Sequence, residues 1–289
     1  MRRPLRSFRR RPAGSIPEGQ HHDARFVSAA DRARIVAWLS TLHPIWEQRF
    51  STRRPPPQGQ EQRYLLRPVY WLGNWQFACL DYYRPPHGVH GRCVRAEPFP
   101  PVLAELVARI EERARSMFRG EDMPARWHLN TCLVNFYGSR GAADTARVGE
   151  HRDFEPGPVA SVSLGERALF QFVKSSRPGD RDEVVSQTWL GDSSLQIFGG
   201  ERWKRQHFHR VQRVTDEGTR FDLQIPRAPS GESFETRRVN FTFRYVPDEH
   251  VLPFRELPLE AQLDVRAYVE ELAKHSSFWA DTLAAAPIR

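Results

Sequence analysis

The sequence predicts a mixed α+β chain: a β-rich middle flanked by helices. Two observations carry that reading. Apolar residues recur at helical spacing in stretches near the start and at the end of the chain. From Trp127 onward, β-branched and aromatic residues instead gather in short runs, each bounded by Gly, Pro or Asp. Several short strands at that spacing suggest a sandwich or barrel. At 289 residues the chain can bury a substantial core as one large domain or two small ones.

In chain order, residues 1–25 open with "MRRPLRSFRRRPAGSIPEGQ", a Pro/Arg-rich arm expected to be disordered. "SAADRARIVAWLSTL" follows as an amphipathic helix, with Ser28 as N-cap, Asp31 three residues on, and Ile35, Val36, Leu39 and Leu42 as the apolar stripe. "STRRPPPQGQEQR" reads as a polar loop, and "YLLRPVYWLGNWQFACLDYYRPPHGVHG" as short extended pieces rich in aromatics. A second helix, "PPVLAELVARIEERARSMF", starts on Pro100 and Pro101. The strands are expected in "HLNTCLVNFYG", "VASVSLGERALFQFV", "VVSQTWLGDSSLQIFGG" and "RRVNFTFRYV". A last helix, "LPLEAQLDVRAYVEELAKHSSFW", closes the chain.

The formal charge of +8 fits a polyanionic partner, nucleic acid first. Arg2, Arg3, Arg6, Arg9, Arg10 and Arg11 supply much of that excess, however, and a basic arm is commonly just solvated. No run approaches eighteen apolar residues, which excludes a membrane-spanning helix, and the basic N-terminus lacks the apolar stretch of a secretory signal. Cys79, Cys93 and Cys132 are scattered, without a CxxC pair, so reduced thiols in a cytoplasmic protein are the simplest reading.

Strand parity selects the candidate site residues. In "RRVNFTFRY" it puts Arg238, Asn240, Thr242 and Arg244 on one face, with Val239, Phe241 and Phe243 on the other. An edge strand with a wet polar face would look the same. Two arginines on one face repel unless an anion meets them, and such a pair could clamp a small dicarboxylate. Asn135 and Tyr137 share a face in the same way, as do His151 and Asp153 in "GEHRDFEP". An iron(II) site needs two histidines and one carboxylate on one side of the metal. His151 and Asp153 give two of the three, and "QHFHRVQRV" offers His207 and His209 for the third.

"NFY", "HRDFE", "SVSLGERALFQF", "GDSSLQIFGG", "HRVQ" and "RVNFTFR" occur in order between Trp127 and Val246. As a set they resemble the AlkB family of iron(II)- and 2-oxoglutarate-dependent dioxygenases, in particular bacterial members that repair alkylated DNA. The resemblance implies a double-stranded β-helix (jelly-roll) core over residues 127–247, with an N-terminal substrate-lid extension at 26–126 and a C-terminal helix at 248–289. It implies iron held by His151, Asp153 and His209, with His207 as the alternative because the segment after "GG" is longer than usual. It places Arg238 and Tyr137 on the distal carboxylate of 2-oxoglutarate, Arg244 near its metal-chelating carboxylate, and Asn135 and Asn240 in support. The stretch "TDEGTRFDLQIPRAPSGESFET" departs from the family pattern and is expected to be a surface hairpin or loop.

The reaction implied consumes O2 and 2-oxoglutarate and yields succinate and CO2. A methyl group on nitrogen is hydroxylated and leaves as formaldehyde. The expected partner is alkylated DNA, single-stranded or duplex, or RNA, and a monomer is expected. Glu155 falls where base-repairing members carry an acidic residue, though taken alone it reads equally as a solvated glutamate. Trp71, Trp75 and Tyr82, with Tyr70, Phe77 and Tyr83 around them, fall where such enzymes build a nucleotide lid, though aromatics at strand spacing usually pack inside. The competing readings are a hydroxylase or demethylase of RNA or protein, and a non-catalytic jelly-roll binding module. The complete set of candidate ligands and arginines argues against the last.

Overall fold

The computed structural model describes residues 17–52, 54–80, 93–140, 143–144, 148–174, 183–213 and 221–285. Its strands are β1 (Gln20–Asp23), β2 (Val69–Leu72), β3 (Asn74–Trp75), β4 (Cys93–Arg95), β5 (Thr131–Arg140), β6 (Ala143–Asp144), β7 (Val148–His151), β8 (Val159–Gly165), β9 (Ala168–Lys174), β10 (Glu183–Leu190), β11 (Ser194–Phe198), β12 (Phe208–Arg213), β13 (Phe234–Arg244) and β14 (Val251–Leu252). The α-helices are α1 (Ala29–Leu39), α2 (Pro101–Met117), α3 (Leu259–Ala273) and α4 (Ser277–Ala284).

Eight strands, β5 and β7 to β13, are divided between two antiparallel sheets. The large sheet runs β1-β11-β8-β13-β5-β2, with β6 on β5, and the small one runs β10-β9-β12-β7. Within them β5, β8, β11 and β13 face β7, β9, β10 and β12, which is the double-stranded β-helix expected from the sequence. The parity of β13 decides which face does what. Val239, Phe241 and Phe243 are fully buried in one cluster with Ile35, Leu39, Leu106, Ile110 and Val265 of the helices. Helices therefore cover the outer face of the large sheet, and the polar face of β13 is left to look inward.

The helices begin where the sequence signals them. The Ser28 hydroxyl accepts from the Asp31 amide at 3.1 Å, and Pro101 opens α2, where its missing N–H leaves nothing unpaired. Gly165, at φ +85°, closes the tight β8–β9 turn; a Cβ there would meet the Phe221 ring at 2.4 Å.

Four expectations need correction, and parts of them fall outside the described residues. The disordered arm was expected to reach residue 25, yet β1 pairs with β11 over Gln20–Asp23 as an edge strand of the large sheet. The last helix is two: the amides of His275 and Ser276 both turn back to the Leu272 carbonyl, and α4 restarts from extended Ser276 so that Trp279 is wholly buried. The stretch after His209 lies outside the described residues over 214–220; from Phe221 on it is more than a surface loop, because Phe221 is buried and donates its amide to Thr236, and Trp46 donates its indole N–H to the Pro226 carbonyl at 3.0 Å.

The fourth concerns the lid. Trp71 and Trp75 are 2% and 1% exposed, and both indole N–H groups donate to Glu47 Oε1, at 2.7 and 2.6 Å. The other Glu47 oxygen accepts the Ala78 amide at 2.8 Å, so a single carboxylate ties β2 to β3. Burial raises the Glu47 carboxyl to about 7 against the pull of those three bonds. Tyr70 and Phe77 are buried as well. Neither tryptophan can stack on a base from this position. Tyr82 and Tyr83 lie outside the described residues.

The three cysteines are free and buried. Among the described residues no helix is long and apolar enough to cross a membrane.

Candidate active site

Between the two sheets lies a cleft to which all eight jelly-roll strands contribute side chains. Its rim carries the three expected ligands. His209 on β12 stands directly opposite His151 at the end of β7, and cross-strand neighbours share a face. The two imidazole centroids are 4.2 Å apart. Asp153, two residues past β7, is 5% exposed and turns Oδ2 to within 3.3 Å of His209 Nε2. One ligand atom from each of the three residues lies within 4.8 Å of the others.

The neighbours orient this set. His151 Nδ1 lies 2.8 Å from the Gly149 carbonyl, which places its proton on Nδ1 and leaves the Nε2 lone pair for a metal. Arg244 donates Nε and Nη2 to Asp153 Oδ1, at 2.9 and 2.8 Å, so Oδ2 is the oxygen turned toward the histidines. Burial alone would raise the Asp153 carboxyl. The Arg244 guanidinium overcomes it and holds the group well below the usual carboxylate range. His209 sits among Phe170, Phe172 and Phe198, and burial with the neighbouring His151 pushes it down to about 3, the neutral form a metal needs.

His207 does not join them. Its Nδ1 lies 2.7 Å from the Arg202 carbonyl and its ring packs on Trp203. The extra length after "GG" is taken up as a π-helical turn over Arg202–Gln206, so His207 caps the turn and His209 falls on the strand.

In the same cleft, β13 presents Arg238, Asn240, Thr242 and Arg244 on the face that parity assigns them. Arg238 donates Nη2 to Ser163 Oγ at 2.8 Å, lies 5.0 Å from the Tyr137 ring, and keeps a buried Nε without a hydrogen-bond partner. Asn240 donates to Ser161 Oγ at 2.8 Å and to the Val162 carbonyl at 3.0 Å. The Asn135 carbonyl oxygen accepts from Arg67 Nε at 2.6 Å.

Sequence reasoning missed Arg67. It is buried, lines the same cleft and lies 5.2 Å from the Tyr137 ring, so three guanidiniums surround one small space. The signal was an arginine inside the apolar run "YLLRPVYWL". Arg244, expected near the metal-chelating carboxylate of 2-oxoglutarate, donates to the candidate ligand Asp153.

Asp153 borders a second cleft on the other side, lined by Arg152, Glu155, Glu201, Lys204 and Arg205 among others. Glu155 is 2% exposed, neither carboxylate oxygen has a hydrogen-bond partner, and its closest cation is Arg244 at 3.6 Å. Lys204, on the π-helical turn, was also missed. Its ammonium donates to the main-chain carbonyls of Glu155 and Gly157, the latter at 2.8 Å, and so pins the loop that carries Asp153.

Two imidazoles and one carboxylate on one face leave the opposite positions of a metal open, the arrangement of non-haem iron(II) oxygenases. The donor set fits that metal, and the arginine-lined cleft beside it fits a dianion. The chain belongs to the 2OG-Fe(II) oxygenase superfamily, whose sequence profile matches residues 20–244. It is a 2-oxoglutarate-dependent dioxygenase, with iron(II) as cofactor and 2-oxoglutarate and O2 as co-substrates. No curated protein matches the chain. Among solved structures it is similar to OsALKBH1, with a TM-score of 0.46 at 21% identity, over 80% of this chain and 100% of that one. It is also similar to YcfD, a ribosomal oxygenase from Escherichia coli in complex with cobalt and succinic acid, with a TM-score of 0.33 at 10% identity, over 91% of this chain and 66% of that one.

Proposed function

We propose that the protein is an AlkB-type demethylase that removes methyl groups from N1-methyladenine and N3-methylcytosine in DNA. His151, Asp153 and His209 hold the iron. Arg238 and Tyr137 take the distal carboxylate of 2-oxoglutarate, with Asn135, Asn240 and Arg67 around it. When bound, the iron supplies oxidative decarboxylation of 2-oxoglutarate and hydroxylation of the methyl group. The chain's own residues do the rest. Arg244 keeps Asp153 ionised and oriented, Ser161 and Ser163 hold Asn240 and Arg238 in place, and the aromatic rings beside His209 exclude water.

The observation that carries the substrate reading is that Asp153 lies between two clefts of different chemistry. The arginine-lined one suits the dicarboxylate. The other holds Glu155, a buried acceptor with no hydrogen-bond donor, which suits the exocyclic amine and positive charge of an N1- or N3-methylated base. Such a base cannot pair normally, so extruding it from the stack costs less than extruding an intact one. The AlkB-like motif set of the core supports the same reading.

Glu155→Ala is expected to lower demethylation of both lesions by about 10- to 100-fold, the loss of one charge-assisted hydrogen bond. Decarboxylation of 2-oxoglutarate without substrate should change far less. Mass spectrometry of methylated oligonucleotides beside a succinate assay measures both. An iron-loaded enzyme that turns over 2-oxoglutarate yet leaves both bases untouched, in single- and double-stranded DNA, would overturn the substrate reading. RNA or protein would then stand first.

A further inference from the structure

Far along the chain from the proposed iron ligands, three more metal-ligating side chains converge. We infer that His43, Glu271 and His275 form a second metal site, for a zinc-class divalent cation, joining the segment after α1 to the C-terminal end of α3. Glu271 and His275 stand one helical turn apart, so both project from the same face. His43 arrives from 228 residues away and sets its Nε2 3.1 Å from Glu271 Oε1. His275 Nε2 lies 3.7 Å from that same oxygen. One ligand atom from each residue falls within 4.8 Å of the other two.

Without an ion, His43 Nε2 and Glu271 Oε1 make a hydrogen bond, and the His275 edge is left open. At 3.7 Å the His275 contact is too long for a hydrogen bond. A tetrahedral ion with bonds of about 2.0–2.1 Å spaces its ligand atoms about 3.3–3.4 Å apart. The two observed edges lie on either side of that value. The carboxylate is already divided: Oε2 accepts from Lys274 at 2.6 Å, which leaves Oε1 for the cation.

The imidazoles lie nearly parallel, with centroids 3.7 Å apart, so sharing one ion requires both rings to swing until their Nε2 lone pairs converge. His275 and Glu271 are 41% and 40% exposed, leaving the fourth position to water. Two nitrogens and one oxygen suit zinc, nickel or cobalt and poorly suit calcium or magnesium.

The test is zinc stoichiometry by equilibrium dialysis and elemental analysis, on the full chain at buffered free Zn2+. His275→Ala and His43→Ala should each bind one equivalent fewer than wild type. Asp153→Asn, which keeps the shape that Arg244 grips, should lose the other equivalent and keep this one. Turnover of 2-oxoglutarate by iron-loaded His275→Ala should equal wild type, which also reports an intact fold. Zinc binding unchanged in both histidine variants would overturn the inference, as would an Asp153→Asn protein that binds none.

Discussion

Replacing Asp153 with Asn is expected to bring 2-oxoglutarate turnover to background. The amide keeps the shape that Arg244 grips but loses the charge that draws a divalent metal. Iron affinity should fall by more than the about 10- to 100-fold that follows from removing a residue which only orients a ligand. Asp153→Ala is the harsher variant: it takes from the buried Arg244 guanidinium the nearer of its two carboxylates, with Glu155 remaining at 3.6 Å. His209→Ala should match Asp153→Asn in activity. His207→Ala should retain most of it, since that ring packs on Trp203 away from the metal face. Succinate production and bound iron in the purified variants measure these effects. Equal loss from His207→Ala, or full activity in Asp153→Asn, would overturn the ligand set.

The second large effect concerns co-substrate affinity. Arg238→Met should raise the KM for 2-oxoglutarate about 10- to 100-fold, because hydrogen bonds to a charged group contribute about 1.5–3 kcal/mol. Arg238→Lys should recover only part of that, since an ammonium keeps the charge and loses the planar fork. The buried Nε, with no hydrogen-bond partner, is the atom that sets the expectation. At saturating 2-oxoglutarate the maximal rate should fall much less than the affinity. An unchanged KM in Arg238→Met would place the co-substrate elsewhere.

The features that could be read from the sequence were those fixed by local repetition. Parity along "RRVNFTFRY" placed four polar residues in the cleft and three apolar ones under the helices, because a strand offers only two faces. The choice between His207 and His209 turned on the π-helical turn, which spacing alone does not reveal. Trp71 and Trp75 looked like a lid because they are large aromatics in a turn-rich stretch. Their partner, Glu47, lies 24 and 28 residues earlier, and no local pattern announces such a contact. Arg67 was hidden for the same reason, since its partner Asn135 is 68 residues away. Strand β1 is only four residues long and follows a Pro/Arg-rich tail, so its pairing with β11 outweighed a composition that reads as unstructured.

That short strand also bears on where the chain can be cut. Glu18 accepts the Trp203 indole N–H through its carbonyl at 2.7 Å, and Gly19 packs so closely on the Trp203 ring that a Cβ would meet it at 2.9 Å. Trp203 belongs to the turn that carries Lys204 and leads into His209. Trimming the protein back through Asp23 would therefore bare the outer edge of β11, open to edge-to-edge association between molecules. It would also remove the wedge behind the turn that sets His209. A shortened protein of that kind should aggregate and lose its metal together, and the two failures would share one cause.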